Sequence, residues 1–396
     1  MSQSPSAARV AAALFARTYR GRPRAGASAP GRVNLIGEHL DYNGGPVLPM
    51  AIARRTAVVV GPGAGAARAR SFEGVSARDG VVDRFDPAGP MRGAWTDYLA
   101  GVVRALERRG VRVPGASIAV ASTVPEGAGL ASSAALTVAT ARALAALAGV
   151  RLNAEVVAEV AWEAEHEEVG VRCGRMDQVI SALALPGKAL FYDTATGARR
   201  ALPFRGRLWL IDTGVRHRLT DGGYNQRRSE CEEALRSLRE QGWKLNALAE
   251  LPATALSSLR LAPHLLRRVT HIVSETSRVR SAVDLLSSSS APAPQRLSAL
   301  GALMSEAHAS MRDDFQASCE EADVLVEAAV KLGAWGARLT GAGWGGTVVM
   351  LADERDAARV VVELQHQFAR IYRRIPEAWA TRAGSGVKRE SVPGSK

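Results

Sequence analysis

Residues 125–136 read Pro125-Glu-Gly-Ala-Gly-Leu-Ala-Ser-Ser-Ala-Ala-Leu136, between a β-branched run and an alanine-rich one. Gly127 and Gly129 let the backbone turn tightly and approach a ligand without a Cβ in the way. Ser132 and Ser133 fall where a helix begins, and Ala134–Ala148 is a strong helix former. A helix N-terminus offers unpaired N–H groups and a partial positive charge, which suits a phosphate chain. The loop lacks the Gly-Lys-Ser/Thr ending of a Walker A motif. Alone it also fits a plain glycine turn with a serine cap, so its neighbours decide.

Outward from the loop, strand-like and helix-like stretches alternate. Thr56–Val60, Ile118–Val124, Leu208–Asp212 and Thr347–Leu351 read as short buried strands. Ala131–Leu147, Ala154–Glu168 and Glu230–Arg239 read as helices, as do segments within Leu265–Leu286 and Leu297–Ser310. Ser287–Pro294 is a loop, because its Ser and Pro residues extend neither helix. The first twenty or so residues and Ser385–Lys396 are small and polar, and are expected to fray. The 396 residues exceed one ordinary core, so two domains are expected, 1–205 and 206–396, cut near Phe204–Gly206.

Hydrophobic residues make up 47%, enough for packed cores, and no apolar run reaches membrane-spanning length. The N-terminus carries no signal-peptide pattern. Cys173, Cys231 and Cys319 are scattered without metal-site or disulfide spacing, which fits a reducing, cytoplasmic compartment. The net charge of +12 raises nucleic-acid binding. Arg is spread along the chain with no basic run, and aromatics are only 5%, so neither nucleic acid nor a membrane is expected as partner. A monomer is expected, although nothing in the sequence gives the oligomeric state.

Ala29-Pro-Gly-Arg-Val-Asn-Leu-Ile-Gly-Glu-His-Leu-Asp-Tyr-Asn-Gly-Gly45 packs Arg32, Glu38, His39 and Asp41 among turn-forming glycines and apolar residues. Such a mixture suits a sugar, whose hydroxyls both donate and accept and bond carboxylates directionally. Ala164-Glu-His-Glu-Glu-Val-Gly-Val-Arg-Cys-Gly-Arg-Met-Asp-Gln178 adds further acids. Glu165 shares the apolar face of its helix with Val157 and Ala161, as an ion-pair partner or a metal ligand. Spacing alone does not separate it from Glu168. Asp177 falls at a helix start, where the bland reading is an acid stabilised by the dipole. Arg338-Leu-Thr-Gly-Ala-Gly-Trp-Gly-Gly-Thr347 is a second glycine loop, by itself a hairpin turn.

Together these motifs resemble the galactokinases of the GHMP kinase superfamily from about Ala25 to Val387. The first stretch resembles the galactokinase signature G-R-V-N-L-I-G-E-H-T-D-Y-N, with Leu40 in place of Thr. The phosphate loop resembles P-x-G-x-G-L-x-S-S-A, with Ala131 where Ser is usual. The third resembles A-E-x-x-x-V/F-G-x-x-C-G-I-M-D-Q, with Arg175 in place of Ile, and 338–347 resembles the third GHMP motif, with Leu339, Ala342 and Trp344 as departures. Tyr224–Glu233 is similar to a further galactokinase stretch, with Gly222-Gly223 for the usual Ser-Glu. Trp95-Thr-Asp-Tyr98 is similar to the W-x-x-Y near the adenine pocket.

The resemblance implies a two-domain α+β GHMP kinase fold with the active site in the interdomain cleft, and a sugar 1-kinase using ATP and Mg²⁺. It implies Asp177 as base with Arg32 beside it, and sugar contacts from Glu38, His39, Asp41, Gly174, Asp177 and Tyr224. Nucleotide contacts are expected from Trp95, Pro125, Gly127, Ala128, Gly129, Leu130, Ala131, Ser132, Ser133 and Ala134, and Mg²⁺ contacts from Ser133 and Glu165. Asp177 should be an ionised, weak base whose proton arrives late, leaving most catalysis to positioning and charge neutralisation. The expected reaction is phosphorylation of α-D-galactose at its anomeric hydroxyl. Leu40, Arg175 and Gly222–Gly223 leave open a kinase for N-acetylgalactosamine or L-arabinose. A catalytically dead sugar sensor fits less well, because Ser132, Ser133, Ala134 and Asp177 are all present.

Overall fold

The computed structural model describes residues 6–63, 70–216, 222–289 and 291–391. The elements follow in chain order as α1 (Ala7–Tyr19), β1 (Ala25–Asn34), β2 (Pro46–Val47), β3 (Pro49–Pro62), β4 (Phe72–Ser76), β5 (Val82–Phe85), α2 (Thr96–Arg108), β6 (Ala116–Ser122), α3 (Ser132–Leu147) and α4 (Ala154–Glu163). Next come a π-helical turn over Ala164–Glu168, α5 (Met176–Leu183), β7 (Lys188–Asp193), β8 (Arg199–Pro203), β9 (Leu208–Asp212), α6 (Gly223–Glu240), α7 (Pro263–Ser287) and α8 (Ala293–Asp313). The chain closes with α9 (Glu320–Lys331), β10 (Gly336–Thr340), β11 (Thr347–Leu351), α10 (Ala357–Tyr372), β12 (Ala378–Thr381) and β13 (Lys388–Arg389).

Three sheets organise these elements. The largest runs β13-β1-β3-β6-β4-β5, antiparallel except where β4 lies parallel to β6. Its two-residue alternation divides the core: Ala57, Val59, Ala119 and Ala121 face α1, whereas Val58, Val60, Ile118 and Val120 join the main core. A second sheet runs β10-β11-β9-β12, and a third β2-β7-β8. The second opens at Leu208, just beyond Phe204–Gly206, whereas β13 returns to pair with β1 in the first.

Residues 6–20 and 385–391 correct the expectation of fraying. Ser6 caps α1, accepting a bond from the Arg9 N–H, and Ala7, Ala11, Leu14 and Phe15 form one buried stripe. Burying Leu14 and Phe15 contributes about 1.5–3 kcal/mol each. At the other end, the Arg55 guanidinium donates to the carbonyls of Ser385 and Gly386, and Glu390 accepts from Ser28. Residues 1–5, 392–396 and Ser290 of the expected 287–294 loop lie outside the described residues.

α8 and β10 meet without side chains between them. A Cβ on Gly336 would stand 1.8 Å from the Gly301 carbonyl oxygen. We predict that Gly336→Ala lowers stability by at least about 1–3 kcal/mol. Thermal unfolding measures this, and an unchanged midpoint would contradict the close packing.

Candidate active site

Two loops from distant parts of the chain meet through their glycines, and the end of β1 joins them. The 123–131 loop leads from β6 into α3 with positive φ at Gly127 (63°), Gly129 (71°) and Ala131 (56°). The helix cap is therefore Ala131 rather than a serine, and Ser132 and Ser133 form the first turn. A non-glycine residue in the left-handed region is strained, and the surroundings account for it. A Cβ at Gly129 would sit 2.7 Å from the Thr340 carbonyl oxygen, and one at Gly341 2.6 Å from the Gly129 oxygen. Thr347 Oγ1 donates to the Ala128 carbonyl at 2.8 Å, and the Arg32 N–H to that of Leu130 at 3.0 Å.

Beside this junction Arg32, at the end of β1, reaches α5. Its Nε and Nη2 donate to the two oxygens of Asp177, both at 2.7 Å, while Nη1 donates to the Gly129 carbonyl at 2.5 Å. One planar guanidinium thus sets Asp177 against the phosphate loop. Both residues line a cavity of about 1050 Å³. Of the expected nucleotide group, Trp95, Gly127, Gly129, Leu130, Ala131, Ser132 and Ser133 line it too; Pro125, Ala128 and Ala134 do not, and Ala128 and Ala134 are wholly buried. Trp95 heads α2, its ring close over Gly74. Asp97 Oδ2 organises the segment before it, accepting from the N–H groups of Arg92, Gly93 and Ala94 at 2.8, 2.7 and 3.1 Å.

The structure separates the two acids that spacing could not. Glu168 is ion-paired with Arg104 and Arg108. Glu165 is buried in the π-helical turn and accepts from Thr137 Oγ1 and Gln178 Nε2, both at 2.9 Å, with no cationic partner among the described residues. Burial pushes its carboxyl up to about 7, against hydrogen bonds from Gln178, Ser133 and Thr137. A buried acid with no cation, beside the Ser133 hydroxyl at the phosphate loop, fits Mg²⁺, which needs few protein oxygens when phosphates supply others. No cluster of three or more acids, histidines or cysteines that could hold a metal occurs among the described residues.

The signature residues lie on the far side of Asp177. A Cβ on Gly174 would stand 2.0 Å from Asp41 Oδ2, so residue 174 must be glycine for Asp41 to sit there. Burial, then the neighbouring Asp177 charge, pushes the Asp41 carboxyl up to about 7, opposed by Arg32. His39 (φ 65°) stacks on Phe315 at 4.3 Å and meets Tyr42 through Nδ1 at 2.9 Å, leaving buried Nε2 without a partner. Its pKa lies well below the ordinary value through burial, so the ring is neutral. The Tyr224 ring packs 5.9 Å from that of His39 and lines the cavity.

Glu38 differs from its neighbours. Oε1 accepts from Gly341 N–H at 2.8 Å and Thr340 Oγ1 at 3.0 Å; Oε2 accepts from Asn34 Nδ2 at 2.6 Å and lies 3.1 Å from Arg338 Nη2. A sugar hydroxyl reaching Glu38 shares an acceptor rather than finding a free one. Glu38, His39, Asp41 and Gly174 do not line the large cavity itself.

Two sequence departures point away from it as well. Leu40 is wholly buried in the core, and Arg175 stacks on Trp162 at 3.9 Å while pairing with Glu159. The third does not: Gly223 lines the cavity, and a Cβ there would come within 3.1 Å of the Trp344 ring. Tyr98, from the stretch similar to the adenine-pocket W-x-x-Y, and Trp344, from the third motif, line the cavity, as do Arg78 and Asp79. Trp344 and Tyr98 stood inside quoted motifs, whereas nothing local marked Arg78 or Asp79.

This architecture, with its phosphate loop, paired acids and interdomain cleft, is that of a GHMP kinase. The N-terminal and C-terminal GHMP kinase domains match residues 97–184 and 282–370, and the galactokinase galactose-binding signature matches residues 13–62. Among curated relatives, the galactokinase of Chloroflexus aggregans is 40% identical over 95% of this chain and 96% of its own length. That of Streptomyces coelicolor is 38% identical over 93% and 96%. The Lactococcus lactis galactokinase, solved with galactose, superposes with a TM-score of 0.87 at 25% identity, covering 95% of this chain and 98% of its own. The Methanococcus jannaschii mevalonate kinase shares the fold, with a TM-score of 0.66 at 16% identity over 90% and 98% of the two chains. The chain belongs to the galactokinase family.

The raised Asp41 pKa makes stability pH-dependent. Unfolded, this carboxyl loses its proton near its ordinary value of 3.8; folded, it holds it to about 7. Between the two the unfolded state binds fewer protons, so stability falls as pH rises through that window. Asp41→Asn should flatten the fall in melting temperature of the ligand-free protein between about pH 4 and 7. Thermal unfolding across pH tests this, and identical slopes for both proteins would contradict the assignment.

Proposed function

We propose that the chain transfers the γ-phosphate of ATP to the anomeric hydroxyl of α-D-galactose, giving galactose 1-phosphate and ADP. The observation that carries the reading is the Arg32 fork, which holds the Asp177 carboxylate beside a phosphate loop on one side and Asp41 on the other. The O–H bond of the sugar breaks as its oxygen bonds to phosphorus. The proton passes to Asp177, and the bond to the β-phosphate oxygen breaks with ADP as leaving group.

Each remaining role follows from position. Loop N–H groups and the start of α3 face the phosphates, and Trp95 bounds the cavity where the base would lie. Ser133 and Glu165 would hold Mg²⁺, which when bound neutralises charge on the transferring phosphoryl group. Asp41, Gly174, His39, Glu38 and Tyr224 would receive the sugar hydroxyls, the unpartnered His39 Nε2 being a natural site for one. Arg32 holds Asp177 and, bonded also to the Gly129 carbonyl of the loop, would stabilise charge developing on the transferred phosphoryl group. We further propose domains 1–205 and 206–396, supported by the second sheet opening at Leu208, with β13 crossing back. A cytoplasmic location is supported by three free, scattered cysteines. No helix among the described residues is long and apolar enough to cross a membrane.

A coupled ADP-release assay over galactose, N-acetylgalactosamine and L-arabinose tests the substrate. Galactose should turn over fastest by a wide margin; a faster competitor would overturn the sugar assignment, and no turnover on any sugar would overturn the kinase. For the metal site, Glu165→Gln should raise the half-saturating Mg²⁺ concentration roughly 10-fold or more. An unchanged Mg²⁺ titration would remove Glu165 from that role.

A further inference from the structure

The signature loop is gripped from the second half of the chain by groups outside the site described above. On α7, His271 and Glu275 stand one turn apart on the buried face. Glu275 Oε1 accepts from the Gly37 N–H at 2.7 Å, and His271 Nε2 lies 3.2 Å from the Glu38 carbonyl oxygen. Burial brings the His271 pKa down to about 4, so the ring is neutral, and its bond to a carbonyl requires the proton on Nε2. From β10, the fully buried Arg338 joins the two carboxylates. Its Nη1 is 3.1 Å from Glu275 Oε1, and its Nη2 3.1 Å from Glu38 Oε2. Arg278 Nε donates to the other Glu275 oxygen at 2.8 Å.

A buried ion cluster is a poor device for stability alone, because desolvation offsets most of the attraction and apolar packing would serve as well. What it fixes is a segment in uncommon conformations, Gly37 at φ 110° and His39 at φ 65°. Without these partners a Gly37 N–H and a Glu38 C=O would be buried unpaired, beside residues that must keep His39 and Asp41 in place. Arg338 is also next-but-one to Thr340 and close to Gly341, which bond the same Glu38 carboxylate. We infer that Arg338, Glu275 and His271 are positioning residues that set the sugar-facing side of the site, acting through the Gly37–Glu38 backbone and the Glu38 carboxylate. The inference rests on the sugar-kinase reading for its kinetic consequence, but its structural content stands apart from the identity of the sugar.

The test compares Arg338→Lys, Glu275→Ala and Glu275→Gln with the wild type. KM for galactose, KM for ATP and kcat are measured, together with hydrogen–deuterium exchange of a peptide spanning residues 35–41. The first two variants should raise KM for galactose about tenfold or more and leave KM for ATP within about twofold, with faster exchange in that peptide. Glu275→Gln keeps an acceptor for the Gly37 N–H and should recover part of both effects. Folded variants with unchanged exchange and unchanged KM for galactose would overturn the proposal. So would equal losses for both substrates, the signature of a merely structural role. A wild type that does not phosphorylate galactose would refute the sugar reading alone, and the exchange comparison would still decide the positioning.

Discussion

A single guanidinium group, that of Arg32, is bonded at once to the first turn of α5 and to the loop that opens α3. Its Nε and Nη2 occupy both oxygens of Asp177, and its Nη1 occupies the Gly129 carbonyl. Asp177 and the Pro125–Leu136 loop therefore share a rigid, planar reference, which a lysine in that place could not provide. Arg32 itself is fixed because its own N–H pairs with Leu130, within the same loop. The site is organised around this fork, and the remaining loops close against it.

Those loops approach so nearly that side chains are excluded. Gly129 and Gly341 cross backbone to backbone, and Gly346 would place a Cβ 2.8 Å from the Ala128 carbonyl. The second half of the chain thereby touches the phosphate loop directly, and through Arg338 and Glu275 it also holds the signature loop. The electrostatics follow the same division. Burial raises the carboxyls of Glu165 and Asp41, both neighbours of Asp177, and no cation among the described residues pairs with Glu165.

Much of this was legible locally. The short apolar runs Leu208–Asp212 and Thr347–Leu351 gave strands with the bounds observed, and the alanine-rich stretch after Ser133 gave α3. β3 was read only over Thr56–Val60, because Arg54 and Arg55 interrupt its apolar face while Arg55 in fact ties down the C-terminal segment. α1 looked like a polar tail, although Ala7, Ala11, Leu14 and Phe15 already carried the helical stripe. The site residues were legible chiefly through resemblance. Choosing Glu165 over Glu168 from the residues themselves required knowing that Arg104 and Arg108, some sixty positions earlier, claim Glu168. The pairing of Glu38 with Arg338 is likewise non-local, about three hundred positions apart. His271 and Glu275, two polar residues at helical spacing on the apolar face of α7, are the local signal of that contact.

The account stands on Asp177 as the group that takes the proton from the sugar. The most direct measurement is turnover of Asp177→Asn, alongside equilibrium binding of galactose and of Mg²⁺–nucleotide to the same protein. The amide keeps the shape and one acceptor for Arg32 but loses the charge and the proton site. Turnover should fall by at least about 10²-fold while both ligands still bind. Turnover near that of the wild type, with binding intact, would contradict the central claim.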